Sequence, residues 1–252
     1  MGSGSKYGFE KTTGLVIQQG IFEESATAKH ALGTRMQLAD GRVFHYALAG
    51  GTLAAGKMCI STAPPSGHED VDTSAQSAGD KEITVTVNTT AVTANMYAEG
   101  YISTRETGGV GQTFKIRKNT ATTETTGTST LTLYDPIKTA LLATGQADLL
   151  PNPFYKVTHS AAEENGAAGV PLIAVTSGYY FWLQTFGPAT CLCDGSIPLG
   201  IMVVLGTVAG SVAAITAATN DWAKYAYPIV GSNIGAAGVD TKYTTIHLRL
   251  YS

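Results

Sequence analysis

Residues Thr176 to Leu205, TSGYYFWLQTFGPATCLCDGSIPLGIMVVL, hold the densest run of aromatic and branched apolar side chains in the sequence. Tyr180, Trp182, Gln184 and Phe186 alternate with Tyr179, Phe181, Leu183 and Thr185. Large β-forming side chains in period two suit a pleated surface that is at least half buried. Gly187-Pro188 ends this run, Ala189 to Cys193 forms a second, and Asp194-Gly195 is the dipeptide that best fits a type I′ hairpin turn. Ile201 to Leu205 then continues the sheet. The stretch speaks for architecture, and nothing in it is arranged as an active site.

The same alternation recurs along the chain. Glu82 to Asn88, Thr113 to Lys118 and Ser129 to Tyr134 alternate, Ala94 to Thr104 reads as a strand pair or a bent strand, and Ile246, Leu248 and Leu250 point one way in the closing run. Arg35 to Ala47 is a hairpin candidate with Asp40-Gly41 as a two-residue turn. That turn sets Leu38 opposite Val43 and Met36 opposite His45, with Arg35, Gln37, Phe44 and Tyr46 on the other face. Helix signals concentrate in Asp135 to Gly145, with Asp135 as cap, Pro136 at the first helical position and Gly145 at the end. Glu23 to Leu32 carries early acids and late bases, the favourable sense for a short helix. The fold class expected is mainly β, with sandwich or barrel-like antiparallel sheets, one short helix and an extended N-terminal arm.

Residues 1–32 form that arm in this reading. Its first twenty residues are polar and glycine-rich, with Leu15, Val16 and Ile17 as a short apolar patch, so the segment is either disordered or ordered on a neighbour. Leu15, Val16 and Ile17 are the candidate interaction residues. Residues 33–80 supply the hairpin and a loop, Ala63 to Asp80, dense in Pro, Ser, Gly and Asp. Residues 81–252 are the main β domain, either separate from 33–80 or joined to it.

Charged residues make up 14% of the 252, against about 25% in a typical soluble domain. A folded chain of this size needs polar cover, so Thr and Ser hydroxyls supply it or other subunits bury part of the surface. The net charge of −3 and the single short basic cluster, Lys115, Arg117 and Lys118, argue against nucleic acid as a partner. The N-terminus lacks the apolar core of a signal peptide. Gly195 to Asn220 is uncharged and long enough to cross a bilayer, yet Pro198 and three glycines interrupt it, and buried strands between turns explain it better than a membrane helix. Cys59, Cys191 and Cys193 match no zinc spacing; on a strand Cys191 and Cys193 share a face as small buried hydrophobes, and no disulfide framework is implied. A reducing compartment during folding follows.

Candidate chemistry is sparse. His68, Glu69, Asp70 and Asp72 form one cluster of metal-ligand types, but they lack the alternating register and fixed glycine of a calcium loop, so a solvated acidic turn is the expectation. Gly108 to Gly111 has phosphate-loop composition without the following Lys and Ser or Thr. The aromatics Tyr179 to Trp182 fit a sugar-binding face or, more commonly, a sheet core. No nucleophile elbow or other catalytic signature occurs. No catalytic residue and no cofactor is assigned.

Several stretches taken together carry a resemblance. They are Gly33-Thr-Arg35, Asp40-Gly-Arg-Val-Phe-His-Tyr-Ala47, Leu53-Ala-Ala-Gly-Lys57, Ala94-Asn-Met-Tyr-Ala-Glu-Gly-Tyr101 and Gly111-Gln-Thr-Phe-Lys-Ile116. Leu133-Tyr-Asp-Pro-Ile137, Tyr180-Phe-Trp-Leu-Gln-Thr-Phe-Gly187 and the Asp194-Gly195 turn with Gly200 after it complete the set. From Gly33 to the C-terminus the chain resembles a group of tailed-bacteriophage structural proteins, met as head decoration (cement) proteins or as other virion components. The resemblance implies a capsid decoration subunit on the outer surface of a phage head, made in the host cytoplasm, and no enzyme. Its partners would be the major capsid protein and copies of itself, a trimer being favoured, with no nucleic acid, membrane or cofactor. The alternative is a phage tail, fibre or baseplate structural protein that binds glycans.

Overall fold

The computed structural model describes residues 18–105, 111–143, 145–159, 166–215 and 229–251. Every regular element among them is a strand. In chain order these are β1 (Arg35–Gln37), β2 (Val43–Leu48), β3 (Cys59–Ile60), β4 (Val71–Thr73) and β5 (Glu82–Val87). There follow β6 (Tyr101–Thr104), β7 (Thr113–Asn119), β8 (Gly127–Leu133), β9 (Gly145–Leu150) and β10 (Ala167–Pro171). The last five are β11 (Tyr180–Asp194), β12 (Met202–Leu205), β13 (Ser211–Ala214), β14 (Gly231–Asn233) and β15 (Tyr243–Arg249). The chain divides into two compact units: residues to Thr62 together with those from Pro153 on, and Ala63–Asn152 between them. The division read from the sequence at residue 80 therefore falls inside the second unit.

The first unit is built on β11. Its N-terminal half is buried on both faces, with Phe181 and Leu183 packing against Ala47, Leu53, Phe154 and Val175, and Trp182 packing against Met36, Phe44 and Tyr46. Here β2 and β10 flank it. Its C-terminal half turns Ala189, Cys191 and Cys193 into a different core with Val203, Val212, Ile246 and Leu248. That core sits inside a ring of five strands, because β11 pairs with β13, β13 with β12, β12 with β14, β14 with β15, and β15 with β11 again. One strand of a nine-stranded sheet thus serves separate cores along its length.

Three expectations change around this strand. Gly187-Pro188 does not end it; Gly187, in the left-handed region at φ 88°, lies within one continuous strand of 15 residues. Register shifts between Gln184 and Phe186, where β11 passes from β2 to β15. Asp194-Gly195 does not close a hairpin with the next strand, since the end of β11 pairs with β13 in parallel. The Asp194 carboxylate instead accepts the Thr207 N–H at 2.6 Å, the Thr207 hydroxyl at 2.8 Å and the Val208 N–H at 3.2 Å, so it organises the β12–β13 turn. The β1–β2 hairpin forms, but with Met36 opposite Phe44 and Gln37 opposite Val43. Its loop has one more residue than expected: the Leu38 N–H donates to the Arg42 carbonyl, and Gly41 takes the left-handed conformation at φ 86°. A one-residue slip exchanges faces along a strand, and Met36, Leu38, Phe44 and Tyr46 share one buried face.

The second unit is a closed six-stranded barrel in the order β4-β5-β8-β7-β6-β9, antiparallel throughout. Strands β6, β7 and β8 follow as a meander and β9 returns beside β6, the Greek-key order. Alternation is regular because each strand has one face in and one out: Ile83, Val85 and Val87 of β5 and Leu131 and Leu133 of β8 are buried, and threonines stand between them. The segment read as a loop, Ala63 to Asp80, contributes β4.

The connection from β8 to β9 is where the helix was expected, and no helix forms there. Its backbone bonds are committed elsewhere. The Ile137 N–H donates to the Asp80 carbonyl and the Gly79 N–H to the Ile137 carbonyl, each at 2.8 Å, and Gln76 and Leu141 exchange both bonds. Ile137 and Leu141 are buried in the barrel core. Two such side chains, each worth about 1.5–3 kcal/mol on burial, outweigh a cap and a proline. Glu23 to Leu32 is not helical either: Ser25 exchanges both backbone bonds with Tyr180, and the Lys29 N–H donates to the Tyr46 hydroxyl. Residues 18–32 are thereby tied to β2 and β11. Leu15, Val16 and Ile17 lie outside the described residues.

Candidate functional site

The sequence cluster of His68, Glu69, Asp70 and Asp72 does not converge. His68 is fully buried, with Nδ1 against the Tyr97 hydroxyl and Nε2 donating to the Thr90 carbonyl at 2.7 Å. Asp70 accepts from Arg105 Nη1 at 2.5 Å, and the same nitrogen reaches Asp148 at 3.2 Å. Glu69 and Asp72 are exposed, the latter on the outer face of β4. Among the described residues no group of three or more His, Cys, Asp or Glu is placed to hold a metal ion. The histidine anchors a loop to the barrel, and the arginine joins two carboxylates at the β4–β9 edge.

The aromatic run Tyr179 to Trp182 forms core. Trp182 donates its indole N–H to the Gln19 carbonyl at 2.9 Å, and Tyr46 donates its hydroxyl to the Gln19 side chain at 2.7 Å. The rings of Tyr46 and Trp182 meet edge-on with centroids 5.0 Å apart. Buried aromatic rings with a polar atom need such partners, and Gln19, itself buried, supplies both. Of the basic cluster, Lys115 is paired with Glu99 at 2.7 Å, and Arg117 and Lys118 are exposed on β7. Gly108, Gly109 and Val110 lie outside the described residues.

The fold does assemble a pair with catalytic composition that no sequence spacing announces. Cys59 Sγ lies 3.7 Å from Nδ1 of His159, a hundred positions away. A cysteine nucleophile needs a base free to take its proton, or a lowered thiol pKa. Neither condition is met. His159 Nε2 accepts the Ala54 N–H at 2.8 Å, so Nδ1 carries the ring proton and gives it to the Met58 carbonyl at 3.0 Å. Burial pushes the Cys59 thiol far up and holds His159 below its ordinary value. The pair ties β3 and the turn before it to the segment that carries His159.

His45 is similarly structural. Its ring stacks on Phe154 at 4.6 Å, and Nδ1 lies 3.0 Å from the Thr185 hydroxyl. Burial, with a smaller effect from Arg35, lowers its pKa to about 4. Cys191 and Cys193 are buried in the five-stranded ring, where burial raises both thiols. A cleft on this unit, about 240 Å³, is lined by Phe22, Arg42, Pro171, Leu172, Thr190 and Tyr243 among others. Its one charged side chain, Arg42, is held by Asp40 at 2.7 Å.

No protein-family model, no curated protein and no solved structure matches the chain. The class that the fold defines is an all-β protein of two compact units, one of them a closed antiparallel barrel. Among the described residues no helix is long and apolar enough to cross a membrane.

Proposed function

We propose that the protein is a structural component of a tailed-phage virion, a decoration subunit that binds the outside of the head through contacts with the major capsid protein and with copies of itself. The reading rests on the resemblance carried by Gly33 to the C-terminus and on the composition. The observation that weighs most from the structure is that the buried His45, His68 and Cys59 and the half-buried His159 each serve the fold, engaged by neighbouring backbone or side-chain groups. What the chain offers a partner is therefore its outer surface. That surface is poor in charge, and on the barrel it is rich in threonine.

A decoration subunit acts by mass action. A ligand that binds only the assembled, expanded lattice stabilises it by RT ln(1 + [L]/Kd), about 2.7 kcal/mol per site at a hundredfold excess over Kd. Many sites on one shell together oppose the pressure of packaged DNA. The test is to add the purified protein to expanded heads that lack it and to measure both attachment and the temperature at which the heads burst. Saturable attachment with a raised bursting temperature supports the proposal. Heads that neither retain the protein nor gain stability contradict it.

A further inference from the structure

On the outside of the six-stranded barrel β5 and β8 present mostly hydroxyls, with Thr84, Thr86, Thr130 and Thr132 between their buried positions. One row across it differs. Tyr101, at the start of β6, pairs with Leu150 of β9 on one side and with Lys115 of β7 on the other. Tyr134, just after β8, donates its backbone N–H to the Lys115 carbonyl at 3.0 Å, which continues the row. Tyr101 is 41% exposed, Tyr134 43% and Leu150 43%, so three large side chains stand out together on one face. Between the tyrosines the Lys115 ammonium sits 2.7 Å from Glu99 and 5.3 Å from the centre of the Tyr134 ring. The Tyr134 hydroxyl donates to the other oxygen of Glu99.

The chemistry of this row selects among partners. The core of a protein interface is depleted in charged side chains, whereas here a Lys–Glu pair stands at the centre. A nucleic acid needs positive charge free to neutralise phosphates, and the central lysine is already compensated. A sugar ring needs neither. Its C–H face packs on an aromatic face, and its hydroxyls meet mixed donors and acceptors at the rim, which Tyr, Lys, Glu and Thr provide. Neighbouring strands lie about 4.8 Å apart, so the two rings, separated by β7, stand about 10 Å apart; that is about two sugar spacings, so an extended chain stacks on both rings through its first and third residues and needs about three sugars to do so.

We propose that the row Leu150, Tyr101, Lys115 and Tyr134, with Glu99 behind it, is a binding platform for an extended, neutral oligosaccharide. Tyr101 and Tyr134 are the stacking surfaces. Glu99 positions Lys115 and the Tyr134 hydroxyl, and the adjacent threonines complete a rim of hydrogen-bonding groups. The platform is independent of where the protein sits on a particle.

The experiment titrates the full-length protein with cellohexaose and with chitohexaose, read by calorimetry and by amide chemical shifts. At least one hexasaccharide binds. Tyr101→Ala and Tyr134→Ala each weaken that association about tenfold or more, while Phe22→Ala, an exposed aromatic of the other unit, leaves it unchanged. The corresponding disaccharide, too short to reach both rings, also binds at least about tenfold more weakly. Unaltered melting temperatures of the two tyrosine variants separate lost binding from lost fold. Absence of binding by both hexasaccharides at millimolar concentration overturns the proposal, as does equal binding by the wild type and both tyrosine variants. Salt-sensitive binding of heparin in their place would assign the face to Lys115, Arg117 and Lys118 and overturn it as well.

Discussion

Cys59 and His159 stand 3.7 Å apart, sulfur to ring nitrogen, and the nitrogen that faces the thiol is the one whose proton is held by the Met58 carbonyl. A composition that suggests a catalytic dyad is thus used as a clamp. It follows that Cys59 in the folded protein resists alkylation by iodoacetamide in mildly alkaline buffer and reacts only after denaturation, which mass spectrometry of the modified peptide reads directly. His159→Ala leaves the Ala54 N–H without its acceptor, and the stability loss expected is about 1–3 kcal/mol. Rapid modification of native Cys59 would contradict this account of the pair.

Three histidines contribute to the acid limb of stability. His45 has a folded pKa of about 4 against 6.5 when unfolded, so the unfolded chain takes up the proton first as pH falls. Its contribution is complete above pH 6.5 and is lost progressively towards pH 4, by about 3–4 kcal/mol at most. His30 and His159 are also held low by burial and act in the same direction. In His45→Phe, which keeps the stack on Phe154, unfolding measured by urea at a series of pH values shows a shallower loss across this window. An unchanged slope would mean that His45 is protonated in the folded protein.

Backbone crowding separates two glycines of the barrel unit. A Cβ on Gly67, at φ 80°, would lie 2.0 Å from the Asn88 carbonyl oxygen, whereas one on Gly79, at φ 100°, meets nothing within 4 Å. Gly67→Ala therefore costs about 3 kcal/mol or more, and Gly79→Ala only the conformational penalty of about 1–2 kcal/mol. Equal melting temperatures for the two variants would contradict the loop contact.

Leu141 and Leu142 are neighbours with opposite fates. Leu141 is 3% exposed in the barrel core and Leu142 is 52% exposed. Leu141→Ala is expected to cost about 2–5 kcal/mol and Leu142→Ala about 0.5 kcal/mol or less. Chemical denaturation of the two variants checks this directly, and it tests the extended connection, because that chain path determines which leucine enters the core.

Period two in β5 and β8 was legible because a closed barrel gives every strand one wet and one dry face. The strand through Trp182 was legible for the opposite reason: burial on both faces demands a run of large side chains. What escaped was set by contacts distant in sequence. Asp135 and Pro136 carry good local helix signals, but pairing of Ile137 with Asp80 and of Leu141 with Gln76 overrides them. The hairpin at Asp40-Gly41 was placed correctly with its register off by one, since a single extra loop residue leaves no mark in composition. β4 is three residues long, too short to show periodicity. Tyr101 and Tyr134 come together only through the pairing of three strands, and neither stands out alone.

The decoration proposal assigns the N-terminal segment a part in attachment. Deleting residues 1–17, which include Leu15, Val16 and Ile17, is expected to weaken binding to expanded heads while the melting temperature stays the same. Binding of the shortened chain at full strength would remove the segment from the proposed contact.

The most direct test of the decoration proposal is the number of copies in the purified source particle, measured by quantitative mass spectrometry against the major shell protein. A count comparable to that of the shell protein is the result predicted. A count of only a few per particle would contradict the head role and place the protein at the tail or a vertex, and its absence from the particle would contradict the virion reading altogether.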